Sequence, residues 1–234
     1  MAVFSVLFMS CFLVHGKQNL NSLTGRRIGV GRMNWKSLVG AALVALSLGG
    51  CNYTSVPDPS LSSRDTEFLA RVPKVETDLN YERYMVDDPT GEAPGTIVVD
   101  TKQNHLWYVL PNKKAIQYGV ATGSEAYGWT GTATVKRKAE WPRWMPPKEM
   151  IERWPHLKPT YDAGGLPGGP DNPLGARALY LYDKEGRDTL YRIHGTNEPE
   201  EIGRSVSSGC IRMRDIDVID LYARVNLGTK VIVR

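Results

Sequence analysis

The chain has 234 residues, 41% of them hydrophobic and 9% aromatic, enough to bury one core and too few for two large domains. Its formal charge of +4 is unevenly placed: residues 1–51 hold five basic and no acidic side chains, leaving 24 basic against 25 acidic groups in the rest. A remainder with a net charge near −1 removes the main argument for nucleic-acid binding, which needs a basic folded surface.

In the first segment Lys17, Arg26, Arg27, Arg32 and Lys36 precede the apolar run LVGAALVALSL at 38–48, and LGGC ends at Cys51. Eleven residues suit a signal-peptide core, whereas crossing a bilayer takes about 20. Leu48-Gly49-Gly50-Cys51 resembles a bacterial lipobox, in which the cysteine is lipidated and becomes the new N-terminus; ordinary cleavage with an incidental Cys51 is the alternative. Residues 1–51 are therefore expected to be a signal segment, with Met1 or Met33 as its start. With Cys11 removed and Cys51 acylated, Cys210 is the remaining thiol of an exported protein in an oxidising compartment, unless it pairs with Cys51.

Residues 52–93 mix Pro, Ser, Asp and Tyr with short apolar clusters such as EFLARV, which predicts a tether with one helical turn. Fully extended, it would reach at most about 130–140 Å. Regular patterns begin near Gly95 and define a domain over 94–234. GTIVVD and HLWYVL flank TKQN as a hairpin, and KAIQYGVAT and TATVKRKA continue an alternating β meander. The segment 141–175, rich in Pro, Gly and Trp, is too long for a simple connection; PKEMIERW within it predicts a short helix. It is either a lid over a site or an Ω-loop stapled by Trp141, Trp144 and Trp154. RALYLYD and DTLYRIH form another strand pair around KEGR. One convincing helix follows in RDIDVIDLYARVNLG: Val218, Leu221, Tyr222 and Val225 recur at helical spacing, Asp215 and Asp217 sit in its first turn, and Asn226 to Gly228 stop it. TKVIVR closes the chain as a strand.

The chemistry concentrates in IHGTNEPEEIGRSVSSGCIRM, residues 193–213. A thiol is a few per cent ionised at neutral pH and needs a base, a helix N-terminus or a cation to act as a nucleophile. Cys210 has His194 sixteen residues upstream, a helix start just downstream, and Arg212 and Arg214 beside it. If His194 activates it, Cys210 should be alkylated with an inflection well below pH 8. Gly209 permits a tight turn whose N–H groups face a developing oxyanion. Strand alternation puts Arg192 and His194 on one face, away from Tyr191 and Ile193. Taken singly, a strand-end His and a Cys in an apolar flank are more often packing residues. A metal site is not expected, because one Cys and one clustered His fall short of the ligands zinc needs. No cofactor is expected either, since GGLPGGP puts Pro where a phosphate cradle needs N–H donors.

Taken together, IHGTN, IG and SSGCIRM, preceded by WPRWMPP and NPLGARALYLY, resemble the L,D-transpeptidase catalytic domain of the YkuD family, in its ErfK/YbiS-like branch. The resemblance runs from about Gly95 to Arg234. It implies a mainly β, mixed sandwich or barrel-like domain with one helix in the C-terminal half. It also implies a peptidoglycan enzyme: Cys210 attacks the diaminopimelate–D-Ala bond of a stem tetrapeptide, forms a thioester and passes the acyl group to an amine, of diaminopimelate or of a protein lysine. In that role His194 is the general base and acid, the backbone carbonyl of Gly195 orients it, and Gly209 with Cys210 supplies oxyanion donors. Ser207 matches the Ser/Thr of the family signature. Where many members read Ser-His-Gly-Cys and then Asn one residue on, this chain has Ser208 and Arg212. Arg212 is assigned to a substrate carboxylate, with pairing to Asp215 as its bland alternative; Ser207, Ser208 and Arg192 complete the expected substrate-binding set. Trp129, Trp141 and Trp144 either wall an acyl-donor groove or fill a satellite core. Rival functions are a cysteine amidase or carboxypeptidase cutting the same bond, and a non-catalytic wall-binding lipoprotein. The expected setting is the periplasmic side of a bacterial membrane, with a lipid anchor on Cys51.

Overall fold

The computed structural model describes residues 53–123, 129–207 and 209–234, with Ser207 through its backbone only. The signal segment, Cys51 and Ser208 therefore lie outside the described residues. Strand β1 (Thr54–Ser55), helix α1 (Ser63–Leu69) and strand β2 (Tyr84–Asp87) come first. The meander follows as β3 (Ile97–Asp100), β4 (His105–Leu110), β5 (Lys114–Gly119), the short β6 (Thr122–Gly123) and the long β7 (Gly131–Glu140). Two short helices, α2 (Lys148–Arg153) and α3 (Lys158–Asp162), lie in the long connection. Then come β8 (Arg177–Tyr182), β9 (Asp188–His194), β10 (Ser205–Ser207), β11 (Ile211–Arg212), α4 (Asp215–Arg224) and β12 (Lys230–Val233).

The protein is mostly β, as expected, with one large sheet in the order β1-β2-β5-β4-β3-β12-β7-β8-β9-β11 and a β10-β6 pair beside it. The last strand joins the halves: β12 runs parallel to β3 and antiparallel to β7. Alternation within the strands sends Ile97, Val99, Leu106, Tyr118, Leu179, Leu181 and Ile193 into one core, where α4 adds Val218, Leu221 and Val225. Each such side chain contributes roughly 1.5–3 kcal/mol by leaving water. Helix α4 places Asp215 and Asp217 in its first turn and Arg224 in its last, complementing its dipole, and ends where Val225 turns extended.

The tether expectation is corrected for residues 53–93. They are folded onto the domain: β1 pairs with β2, and β2 extends the sheet against β5. Asp65 of α1 is buried, receiving both terminal nitrogens of Arg177 at 2.9 and 2.8 Å and the Trp141 indole N–H at 2.8 Å. Burial pushes its carboxyl up, but the hydrogen bonds from Arg177, Ser62 and Trp141 outweigh this and hold it well below the usual carboxylate range. Arg83 is likewise buried and reaches Asp217 at 3.1 Å and Asp58 at 2.7 Å.

The base of the 141–175 connection is built as a staple. Trp141 is in the core, edge-on to Phe68 at 4.9 Å, and Trp144 exchanges backbone hydrogen bonds with Leu166. Asn172, buried, donates to the carbonyls of Pro142, Leu166 and Pro167. Trp154 does not join them; it is 43% exposed.

Candidate active site

Strand β9 carries the site on one of its faces. Ile193 points into the core, and Tyr191 stacks on Trp129 at 5.1 Å against the same core. By alternation Arg192 and His194 face the other way. Strand β11 then pairs in parallel with the end of β9, Ile211 beside Ile193 and Arg212 beside His194, and the Met213 N–H donates to the His194 carbonyl at 2.8 Å. This register brings Cys210, the residue before β11, to the backbone of Arg192, which hydrogen-bonds its thiol. Gly209 turns the chain into that position with φ +113°, a conformation in which a side chain is strained.

Cys210 is half-buried. His194 is 4% exposed, and its Nδ1 lies 2.6 Å from the Gly195 carbonyl oxygen. A carbonyl only accepts, so Nδ1 carries the proton and Nε2 of the neutral ring is left as an acceptor. Burial lowers the His194 pKa to about 4; the Gly195 hydrogen bond resists this, and the charges of Arg212 and Arg192 add to it. Burial pushes the Cys210 thiol up, against the Arg192 backbone hydrogen bond and the Arg192 and Arg212 charges. The register sets both groups along β9: Arg212 pairs with His194, and Cys210, two residues earlier, lies at the Arg192 backbone. The two pKa directions favour the thiol and the neutral imidazole, because desolvation of the sulfur outweighs its cationic neighbours, and they run against an alkylation inflection well below pH 8.

The arginines are engaged differently from expectation. Arg212 Nη1 donates to Glu198 Oε2 at 2.9 Å and to Glu201 Oε2, both from the loop between β9 and β10. Its partner is thus not Asp215, because the turn at Pro199–Glu201 brings glutamates closer. Arg192 is forked onto both carboxylate oxygens of Asp188, at 2.7 and 2.9 Å, and lies 4.5 Å over the Tyr180 ring. Ser207 contributes backbone pairing to Gly123. Among the tryptophans, Trp141 fills the core and forms no groove wall.

Asp215 was legible only as a helix-dipole residue, and the structure gives it a second position in the site. Its Oδ1 accepts from the N–H groups of Ala176 at 2.8 Å and Thr196 at 3.3 Å, while Oδ2 is buried with no hydrogen-bond partner among the described residues. A Cβ on Gly195 would stand 1.9 Å from that Oδ1, and one on Gly175 2.1 Å, so only glycine fits at both. Asp215 therefore clasps the start of β8 to the end of β9, beside the Gly195 carbonyl that holds His194. Burial raises its pKa to about 7 despite the Ala176 and Thr196 hydrogen bonds. The sequence signal was the pair of glycines themselves: Gly175 before β8 and Gly195 after β9 sit at neighbouring strand ends.

Residues 94–233 match the family described as the L,D-transpeptidase catalytic domain, YkuD. The chain is 37% identical over 151 residues to a putative L,D-transpeptidase, YqjB, of Bacillus subtilis strain 168, covering 62% of this chain and 76% of that one. It is 35% identical over 176 residues to a probable L,D-transpeptidase, YbiS, of Escherichia coli K12, covering 68% of this chain but half of that one. A solved structure from Brucella melitensis, described as a probable carnitine operon oxidoreductase, aligns at 48% identity over 67% of this chain and 96% of its own, with a TM-score of 0.46.

Proposed function

Because the chain belongs to the L,D-transpeptidase (YkuD) family, we propose that it transfers acyl groups between peptidoglycan stem peptides through a thioester on Cys210. The observation that carries this reading is the His194 tautomer: a buried neutral ring with Nδ1–H on the Gly195 carbonyl, leaving Nε2 to receive the proton of the neighbouring thiol. The Cys210 sulfur attacks the carbonyl carbon of the diaminopimelate–D-Ala amide as its proton passes to Nε2. The C–N bond breaks, the imidazolium gives that proton to the departing amine, and D-Ala leaves. An acceptor amine then attacks the thioester, surrenders a proton to His194, and the C–S bond breaks to restore the thiol. Backbone N–H groups of Gly209 and Cys210 stabilise the oxyanion in both steps. Asp215 serves by holding the Gly195 turn, and so the ring, in place. The acceptor is diaminopimelate of a second stem or a protein lysine, and water would give the hydrolase outcome. The setting we propose is the periplasmic side of a bacterial membrane, with the lipid anchor at Cys51.

The test is incubation of the purified protein with a disaccharide tetrapeptide. Crosslinked dimer with released D-Ala is the expected product; free tripeptide alone would reassign the protein as a carboxypeptidase, and no change in the substrate would mark it as a wall-binding protein.

A further inference from the structure

The face of the sheet that carries His194 continues across two more strands. Arg192 of β9 lies opposite Tyr180 of β8, which lies opposite Arg137 of β7. Directly paired residues share a face, so Arg137 presents its side chain on the side of Arg192 and His194, with its Cα about 10 Å from that of Arg192 at the usual strand spacing. The pairing of β7 with β8 slips between Val135 and Arg137, the kind of bulge that re-aims a side chain near a site. The next residue, Lys138, points the other way and caps α4 through the Tyr222 and Val225 carbonyls.

The three guanidiniums on this side have different commitments. Arg212 is held by Glu198 and Glu201, and Arg192 by Asp188. Arg137 is exposed, and among the described residues no carboxylate pairs with it. Its guanidinium stacks over the Tyr180 ring at 3.6 Å, while Arg192 stacks on the same ring at 4.5 Å. Stacking fixes the plane of the guanidinium without using its N–H donors, so an incoming anion meets a pre-oriented fork and costs little side-chain ordering.

We propose that Arg137, stacked on Tyr180 two strands from the Cys210 strand pair, is the anchor for the side-chain carboxylate of the acyl donor. This rests on the transpeptidase reading above and deepens it. It moves the carboxylate recognition expected of Arg212 to a guanidinium that has its donors available. A stem-peptide residue acylating Cys210 carries its own carboxylate several bonds from the reacting carbonyl, and Cys210 hydrogen-bonds the backbone of Arg192, the residue paired with Tyr180.

The experiment compares two stem tetrapeptides ending in diaminopimelate–D-Ala, one with the diaminopimelate side-chain carboxylate ionised and one with it amidated. Wild type is expected to favour the acid over the amide by about 10- to 100-fold in kcat/KM, the scale of a charge-assisted fork. Arg137→Ala should bring that preference close to one, while Lys136→Ala, one residue away and also exposed, should keep it. Equal turnover of both donors by wild type, or an undiminished preference in Arg137→Ala, would overturn the inference and leave the transpeptidase reading intact. Failure of wild type to turn over either donor would overturn that reading, and the inference with it.

Discussion

Cys210 lies at the backbone of Arg192, and His194 stands two residues further along β9; the surroundings of each favour its uncharged form. A neutral imidazole whose Nδ1 proton is committed to the Gly195 carbonyl is a ready base at physiological pH, and a thiol kept protonated does not waste itself on oxidants. Proton transfer then accompanies attack on a bound acyl donor instead of preceding it. The consequence is measurable with iodoacetamide: Cys210 alkylation should climb through the alkaline range, with no plateau established below pH 8. A rate already flat from pH 7 upward would mean that a thiolate–imidazolium pair forms before substrate arrives.

At the level of elements, most of the strands were legible because their faces alternate. The strand DTLYRIH is found at 188–194 as read, and the helix expected from Asp215 ends at Arg224. The segment before Gly95 was misread because it is held by charge more than by apolar periodicity. Asp65 on Arg177 and Arg83 on Asp217 are buried ion pairs, each between partners more than a hundred residues apart, and no local pattern announces them. The chemistry of residues 193–213 was legible as a motif, but Arg212's partners and the Asp215 clasp were not, since both depend on how the loop after β9 folds back. The Asp65–Arg177 pair also bears on the site, because the Arg177 carbonyl accepts the Gly195 N–H at 3.0 Å. Asp65→Ala would leave a buried guanidinium uncompensated, so urea unfolding should report a loss of roughly 3–5 kcal/mol. A change below 1 kcal/mol would show that residues 53–93 are dispensable packing after all.

For the whole molecule, two buried groups of the site tilt stability in opposite directions with pH. The His194 pKa is depressed to about 4, so its contribution is complete above pH 6.5 and is lost as pH falls through 4, on the order of 3 kcal/mol in all. The Asp215 pKa is raised to about 7, so its contribution is complete below pH 3.8 and is lost as pH rises through 7, on the order of 4 kcal/mol. Asp215→Asn removes the second slope alone. Relative to wild type, the variant should gain stability steadily between pH 4 and pH 8 in urea midpoints taken across that range. Parallel curves for the two proteins would mean that the Asp215 carboxyl ionises normally in the fold. Among the described residues no helix is long and apolar enough to cross a membrane.

The central claim is that the Cys210 sulfur becomes acylated with His194 taking its proton. Intact-protein mass spectrometry after brief exposure to a carbapenem tests it most directly. The account predicts a single adduct, mapped to Cys210 by peptide digestion, that forms at least a hundredfold more slowly in His194→Ala. An unmodified Cys210 in folded wild-type protein, or equal labelling rates in the two proteins, would contradict it.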